Sequence, residues 1–398
     1  MKAAIMGYGT IGSGVAEVLR VNRDVIAKRV GEPIDVKYIL DLREFPGDPE
    51  AGKFVNDVNV IVNDPEVKLV VETMGGVHPA YEFVRANLEA GKSVTTSNKA
   101  LVADMGAELI KVARENQVNF MFEASVGGGI PIIRILQTCL TGDVVEEITG
   151  IVNGTTNYMM TEMTENGSDF DDVLKDAQSK GFAEKDPTAD IEGYDASRKI
   201  AILTSIVAGQ TVDYQDIPTE GITHIDSQDI RYASKMGRKI KLLARMVKTG
   251  DTYCCRVAPY LLPSEHPLYP VDGVFNAVFV KGNMLGDSMY YGSGAGKLPT
   301  ASAVVGDLVA IAKHIDKNIY LEWKEEKLIL ANPGQQSYRF FVRSAKSLAE
   351  IEKVFSKVEC VDAGIAGEIG FVTEEMTQKE YDAKAGELGD IIQMIRLA

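Results

Sequence analysis

The sequence predicts an α/β protein in which a doubly wound parallel sheet is followed by an α+β region and a small ferredoxin-like module. Three observations predict this fold class. In the N-terminal third, short apolar segments alternate with amphipathic helical patterns. From Gly142 onward the apolar segments are longer and richer in β-branched and aromatic residues. After a breaker-rich linker at residues 332–336, the remaining chain follows the order βαββαβ.

The first region alternates strand and helix signals from its first residues. Short buried strands separated by amphipathic helices form a parallel sheet that is covered on both faces. The expected elements are, in order, KAAIMG, a helix over residues 11–30, DVKYILD, VNVIV, LVVETM, a helix over 78–90, SVTTS, a helix over 103–115, and NFMFEA.

The second and third regions have a different pattern. Long strands with β-branched and aromatic residues favour a mixed or antiparallel sheet with helices on one face. The expected strands of the second region include EEITGIVNG, YCCRVAPYLL, GVFNAVFVKG and DSMYYG. The expected elements of the third are SYRFFVRS, LAEIEKVFSK (helix), VECVD, EIGFVTEE, a helix over residues 378–389, and QMIRLA.

Composition excludes several classes of protein. A chain of 398 residues with 45% hydrophobic and 25% charged residues is typical of a globular protein with two or three domains. A net charge of -15 argues against a nucleic-acid or membrane partner. Because the first strand signal begins at Lys2, we expect no signal peptide and a cytoplasmic location. The four cysteines and four histidines lack metal-ligand spacing and are interpreted as structural.

The glycine pattern GYGTIG follows the first strand and begins a helix. This order of strand, turn and helix is the context that a Rossmann-type dinucleotide site requires, because the turn brings the backbone and a helix N-terminus close to the pyrophosphate. A glycine-rich turn used only for packing is the alternative. The cofactor-binding residues expected here are Gly7, Gly9, Thr10, Ile11 and Gly12.

Asp41 follows the second strand, where a carboxylate usually accepts hydrogen bonds from the adenosine ribose and disfavours a 2′-phosphate. The sequence therefore favours NAD over NADP. Two alternatives stay open, since Arg43 could neutralise a phosphate and Asp41 could merely cap a turn.

Two further loops follow strands of the first region, at the sheet edge where ligands of open α/β folds bind. Lys99, in SNKALVA, could approach the nicotinamide or simply be solvated. The glycine-rich loop ASVGGGIPII could expose carbonyl groups to a monovalent cation or serve as a tight crossover between domains.

The segment from Gly150 to Leu203 carries Glu184, Asp190, Asp195 and Lys199 around one turn and helix start. Asp195 and Lys199 are four residues apart and fall within the apolar arc of the predicted helix. We therefore expect this pair to point into a cleft or core, as a catalytic or a structural ion pair. The apolar arc contains Ala196, Ile200, Ile202, Leu203, Ile206 and Val207, and the polar arc contains Ser197, Arg198, Thr204 and Ser205.

These motifs together resemble the homoserine dehydrogenase family. The resemblance covers nearly all of the chain up to about residue 320 and is most specific in GIVNGTTNY and AEKDPTADIEGYDASRK. The tail resembles an ACT regulatory domain in pattern and position. The implied division is residues 1–134 for the dinucleotide-binding domain, completed by about 297–320, residues 135–296 for a catalytic and dimerisation domain, and residues 337–398 for an ACT-like domain.

The resemblance implies a role for each candidate residue. Lys99 and Lys199 would flank the reacting oxygen, with Asp195 beside them, and Glu184 and Asp190 would hold the substrate. Gly296 would return to the nicotinamide site. Many NADP-using relatives carry an arginine where this chain has Leu40, which favours NAD again. Sodium or potassium would bind main-chain groups of Glu123, Val126, Gly128 and Ile130.

The implied reaction interconverts L-homoserine and L-aspartate 4-semialdehyde with NAD or NADP, in threonine, methionine and isoleucine biosynthesis. The implied assembly is a homodimer or higher oligomer, with L-threonine as a candidate effector of the tail. A related dehydrogenase of amino or aldehyde acids is one alternative. An acylating enzyme would need a nucleophilic cysteine, and Cys139 is a poor candidate. A non-catalytic NAD-sensing regulator is the alternative from another class.

Overall fold

The computed structural model describes residues 1–398, which form nineteen strands and thirteen α-helices. The strands are β1 (Lys2–Met6), β2 (Asp35–Leu40), β3 (Phe54–Val55), β4 (Val67–Glu72), β5 (Ser93–Thr96), β6 (Phe120–Met121), β7 (Val145–Ile151), β8 (Gln210–Thr211), β9 (Arg238–Thr249), β10 (Thr252–Pro263), β11 (Phe275–Gly282), β12 (Gly286–Ser293), β13 (Lys324–Lys327), β14 (Ser337–Tyr338), β15 (Phe340–Ser344), β16 (Val358–Val361), β17 (Ile369–Thr373), β18 (Met376–Thr377) and β19 (Ile391–Leu397). The helices are α1 (Thr10–Val21), α2 (Arg23–Val30), α3 (Val58–Val62), α4 (Ala80–Glu89), α5 (Lys99–Glu115), α6 (Gly154–Asn166), α7 (Phe170–Ser179), α8 (Thr188–Ile191), α9 (Tyr194–Ala208), α10 (Ser227–Lys235), α11 (Lys297–Lys313), α12 (Leu348–Phe355) and α13 (Gln378–Leu388). None of the helices has the length and apolar character that crossing a membrane requires.

The first of two compact units consists of residues 1–144, 201–214 and 290–328. Its main sheet is parallel and has the strand order β3-β2-β1-β4-β5-β6. This is the strand order of a dinucleotide-binding fold, in which ligands bind beyond the carboxyl ends of β1 and β4. Helix α11 packs beside α1 and completes the core. The predicted parallel sheet is confirmed.

Two predicted elements of this unit are wrong. The helix expected over residues 11–30 is divided at Asn22, which ends α1 and begins α2. VNVIV, expected to be a strand, is helix α3, because the Asp57 side chain accepts a hydrogen bond from Asn59 N (2.9 Å) and caps the helix. Phe54 and Val55 supply the third strand instead.

The second unit consists of residues 145–200, 215–289 and 329–398. Its mixed sheet has nine strands in the order β12-β11-β7-β9-β10-β19-β15-β17-β16. In the tail, β15, α12, β16, β17, α13 and β19 follow the predicted βαββαβ order, and the short strands β14 and β18 form an additional pair. The tail sheet is continuous with the rest of the unit, because β19 pairs in parallel with β10 at Tyr260 and Leu261. Tyr260 and Leu262 share one apolar core with Phe340 and Phe371 of the tail.

Helix α9 begins at Tyr194 and contains the charged pair Asp195 and Lys199. Asp195 is 1% exposed and Lys199 is 8% exposed, so the prediction that this pair points inward is confirmed. Three of the four residues in the predicted polar arc, however, do not face solvent. Ser197, Thr204 and Ser205 are buried, because small hydroxyl side chains can bond to the helix backbone, as Ser205 Oγ does to Ala201 O (2.8 Å).

Candidate active site

The glycine turn between β1 and α1 is shaped for close approach of a ligand. A Cβ atom at Gly12 would lie 2.0 Å from Gly7 O, and one at Gly7 would lie 2.9 Å from the Thr73 carbonyl carbon, so only glycine fits these two positions. A Cβ atom at Gly9 would meet nothing within 4 Å. Gly9 also caps α1 without a side chain, and the first turn of α1 carries no acidic residue. The open side of this turn therefore fits a pyrophosphate.

A cleft of about 620 Å³ extends from this turn along the ends of β2 and β4. Asp41 lies in its wall and accepts hydrogen bonds from Tyr8 N (2.8 Å) and Arg43 N (3.0 Å). The Arg43 guanidinium also pairs with the carboxylate at 2.8 Å and holds the pKa of Asp41 well below its usual range. Asp41 is therefore a charged carboxylate at the place where an adenosine ribose would bind, and it also closes a local turn with Arg43.

Lys99 is the first residue of α5, a position that the helix dipole disfavours for a cation. A chain of buried polar groups holds this helix start in place. Thr96 Oγ1 donates to Glu72 and accepts from Asn98 N (2.9 Å), and Asn98 Oδ1 accepts from Leu101 N (3.1 Å). Burial raises the pKa of Glu72. The half-buried lysine is thus held at the carboxyl edge of the parallel sheet, as the sequence predicted.

At the glycine-rich loop, the Glu123 side chain is already occupied by hydrogen bonds within the protein. The Glu123 carboxylate accepts hydrogen bonds from all three main-chain N–H groups of residues 132–134, at 2.7–2.9 Å. A Cβ atom at Gly128 would lie 2.1 Å from Gly294 O, so close packing requires glycine there. A cation at this loop would depend on main-chain carbonyl oxygens. The residues predicted to supply them are Glu123, Val126, Gly128 and Ile130.

The second unit brings four polar side chains into one network, here termed the Asn153 cluster: Asn153, Asp190, Asp195 and Lys199. Asn153 Nδ2 donates to Asp190 Oδ1 (2.7 Å) and to Asp195 Oδ2 (2.9 Å). Lys199 Nζ lies 2.8 Å from the same Asp195 oxygen and donates to Val152 O (2.7 Å). Asn153 Oδ1 caps α6 by accepting from Thr156 N (2.9 Å). The cluster therefore combines two carboxylates and one ammonium beside a helix N-terminus.

Glu184 and Gly296 lie outside this network. The Glu184 side chain is exposed, and the loop that carries it is bound to α6, since Thr155 Oγ1 donates to Phe182 O (2.6 Å). Gly296 belongs to the first unit and caps α11 with φ of 114°, a conformation that favours glycine.

Sequence reasoning missed three buried residues that organise these sites. Asn153 lies in the motif GIVNGTTNY, directly before a helix, and asparagine at that position is a capping signal. Glu72 supports the Lys99 loop. Asp307, on α11, accepts from Thr95 Oγ1 (3.0 Å) and from Glu123 N (2.9 Å), and its burial raises its pKa to about 7. No local pattern distinguishes Glu72 or Asp307 from surface acids.

Comparison with known proteins identifies the family. Two family models match, "Homoserine dehydrogenase, NAD binding domain" over residues 7–123 and "Homoserine dehydrogenase" over residues 131–309. The homoserine dehydrogenase of Bacillus subtilis (strain 168) is 39% identical over 368 residues, which covers 90% of this chain and 85% of that protein.

Solved structures agree with the family models. A homoserine dehydrogenase from Thiobacillus denitrificans is 35% identical, with a TM-score of 0.92 over 100% of this chain and 98% of that chain. A hyperthermophilic archaeal homoserine dehydrogenase in complex with NADPH is 28% identical, with a TM-score of 0.67 over 78% of this chain and 97% of that one. The chain therefore belongs to the homoserine dehydrogenase family and is an NAD(P)-dependent oxidoreductase.

Proposed function

We propose that the Asn153 cluster is the substrate site of this homoserine dehydrogenase, with Lys199 as the acid/base on the reacting oxygen. The hydrogen bonds of Lys199 support this role most directly. An ammonium has three donors, and Asp195 and Val152 O account for two of them. The third can be donated to the substrate oxygen. Asp195 would hold the ammonium in this orientation.

The ends of the substrate differ in charge and call for different partners. Asp190, together with the exposed Glu184, supplies negative charge for the substrate ammonium. The N-terminus of α6, which begins at Gly154 beside Asn153, offers main-chain N–H groups to the carboxylate. Lys99 is proposed as a second lysine that serves the same oxygen. When bound, the nicotinamide accepts or donates the hydride.

The assignment of Asp190 and Glu184 can be tested by separating substrate binding from cofactor binding. Glu184→Ala and Asp190→Asn should raise the KM for homoserine by about tenfold or more and leave the KM for NAD nearly unchanged. Asp186→Asn is the matched control, because Asp186 is exposed on the same loop and its carboxylate accepts hydrogen bonds from Thr188 N and Oγ1. An equal rise in both KM values would refute the assignment.

The finer cofactor assignments are also proposals. NAD is favoured over NADP because the Asp41 carboxylate would repel a 2′-phosphate. A sodium or potassium ion is proposed at the carbonyl groups of the loop containing Glu123, since hard cations prefer oxygen ligands.

The C-terminal tail and the oligomeric state also have proposed roles. The strand order β19-β15-β17-β16, with α12 and α13, supports an ACT-like module. We propose that it responds to L-threonine and that the enzyme acts in threonine, methionine and isoleucine biosynthesis as a homodimer or higher oligomer in the cytoplasm. A dimerisation module without a ligand is the alternative. Inhibition of homoserine oxidation by millimolar threonine tests the choice.

A further inference from the structure

The last strand of the tail reaches the segment that supports the Asn153 cluster. Arg396, on β19, is 2% exposed. Its two terminal nitrogens donate to the two carboxylate oxygens of Glu220, at 2.7 and 2.8 Å, and its Nε donates to Gln378 Oε1 (2.9 Å). Such a two-point guanidinium–carboxylate pair fixes direction as well as distance. Arg396 therefore sets the position of Glu220.

Glu220 lies in a segment that packs directly against the turn after Asp190. Ile222 N donates to Ile191 O (2.8 Å). A Cβ atom at Gly221 would lie 2.2 Å from the same Ile191 carbonyl, so the two backbones are in contact with no side chain between them. A shift of this segment would therefore move the main chain next to Asp190, because close-packed backbones cannot absorb it.

The tail contacts the same region at two further points. Gln393 Nε2 donates to His224 O (2.8 Å), and Arg343 pairs with Asp229 at 2.7 Å. Glu220 also pairs with Arg256 of β10 at 3.0 Å, so it retains one cation when Arg396 is changed. Loss of Arg396 should therefore reorient Glu220 rather than unfold its segment.

We propose that Arg396 is a positioning residue for homoserine binding, which it supports through Glu220 and the segment behind the Asp190 turn. This inference rests on the proposed role of Asp190 in substrate binding. It makes the tail a structural part of the substrate site, so a displacement of β19 changes the affinity for homoserine and not the affinity for the cofactor.

The test compares Arg396→Lys with Arg339→Lys in the full-length enzyme. Lysine retains the charge at position 396 and loses the two-point pair. The KM for homoserine should rise by about tenfold, with the KM for NAD unchanged. Arg339→Lys is the control, because Arg339 lies in the same module and pairs with the exposed Glu359. Its KM values should match those of the parent.

A second variant keeps the test decisive if Arg396→Lys does not fold. Glu220→Gln preserves the shape of the side chain, and it should raise the homoserine KM in the same way. The double variant should be no worse than the more damaging single variant, because both changes disrupt the same Arg396–Glu220 pair. An unchanged homoserine KM in folded Arg396→Lys and Glu220→Gln, with Asp190→Asn impaired, overturns the inference alone. An unimpaired Asp190→Asn instead overturns the proposed substrate site.

Discussion

Replacement of Lys199 with alanine has two consequences of similar size. Lys199 Nζ lies 2.8 Å from Asp195 Oδ2, and Asp195 is 1% exposed. Loss of the cation from such a buried pair costs about 3–5 kcal/mol of folding free energy. Loss of a general acid/base group lowers turnover by about 10²-fold to 10⁴-fold. That decrease equals about 2.7–5.4 kcal/mol of transition-state stabilisation.

A double variant separates the catalytic lysine from a structural ion pair. In Lys199→Met/Asp195→Asn both charges are removed, while the asparagine oxygen can still accept from Asn153 Nδ2. The free energy of unfolding should recover most of the loss, because a buried pair is often replaced by neutral groups without penalty. Turnover should stay as low as in Lys199→Ala.

The assay is NADH formation from homoserine, run beside urea unfolding of parent, single and double variants. If the double variant regains both stability and turnover, to within about threefold of the parent, Lys199 is only structural and the proton-transfer role is wrong.

Three other perturbations have definite expected outcomes. Asp41→Ala should raise kcat/KM with NADP relative to NAD, because it removes a carboxylate that repels the 2′-phosphate and releases Arg43 to bind it. A parent enzyme that already prefers NADP by about tenfold would contradict the proposed role of Asp41. Truncation after Gly334 should lower the melting temperature, because it exposes the buried β10 residues Tyr260 and Leu262 to solvent. An unchanged melting curve would show that the rest of the protein is stable without the tail. Burial raises the pKa of Asp272, but hydrogen bonds from Lys239 and Lys241 outweigh it and lower the pKa below its ordinary value. The stabilisation by Asp272 is therefore present above about pH 4 and is lost as the pH falls through the lowered pKa. Urea unfolding should show Asp272→Asn less stable than the parent at neutral pH, with the difference shrinking in acid.

The sequence by itself determined the features that depend on neighbours along the chain. Alternation of apolar strands and amphipathic helices indicated the parallel sheet, and GYGTIG indicated its nucleotide turn, because glycine spacing is a local steric requirement. The four-residue separation of Asp195 and Lys199 placed both on one face of α9. Their burial was predictable from that face.

Local pattern was insufficient for short or fully buried elements. The five residues of VNVIV are apolar enough for either a strand or a helix, and the capping contact of Asp57 decided between them. The hydroxyl side chains of α9 indicated a solvated arc, yet Ser197 and Thr204 are buried.

Only the tertiary structure decided which distant groups meet. Asn153 contacts Asp195 across 42 residues, and Arg396 contacts Glu220 across 176. Neither pairing has a local signal, because a buried polar group can be satisfied by any complementary partner that the fold brings within hydrogen-bond distance. The sheet register of β19 against β10 therefore determined that the tail is built into the unit that carries the Asn153 cluster.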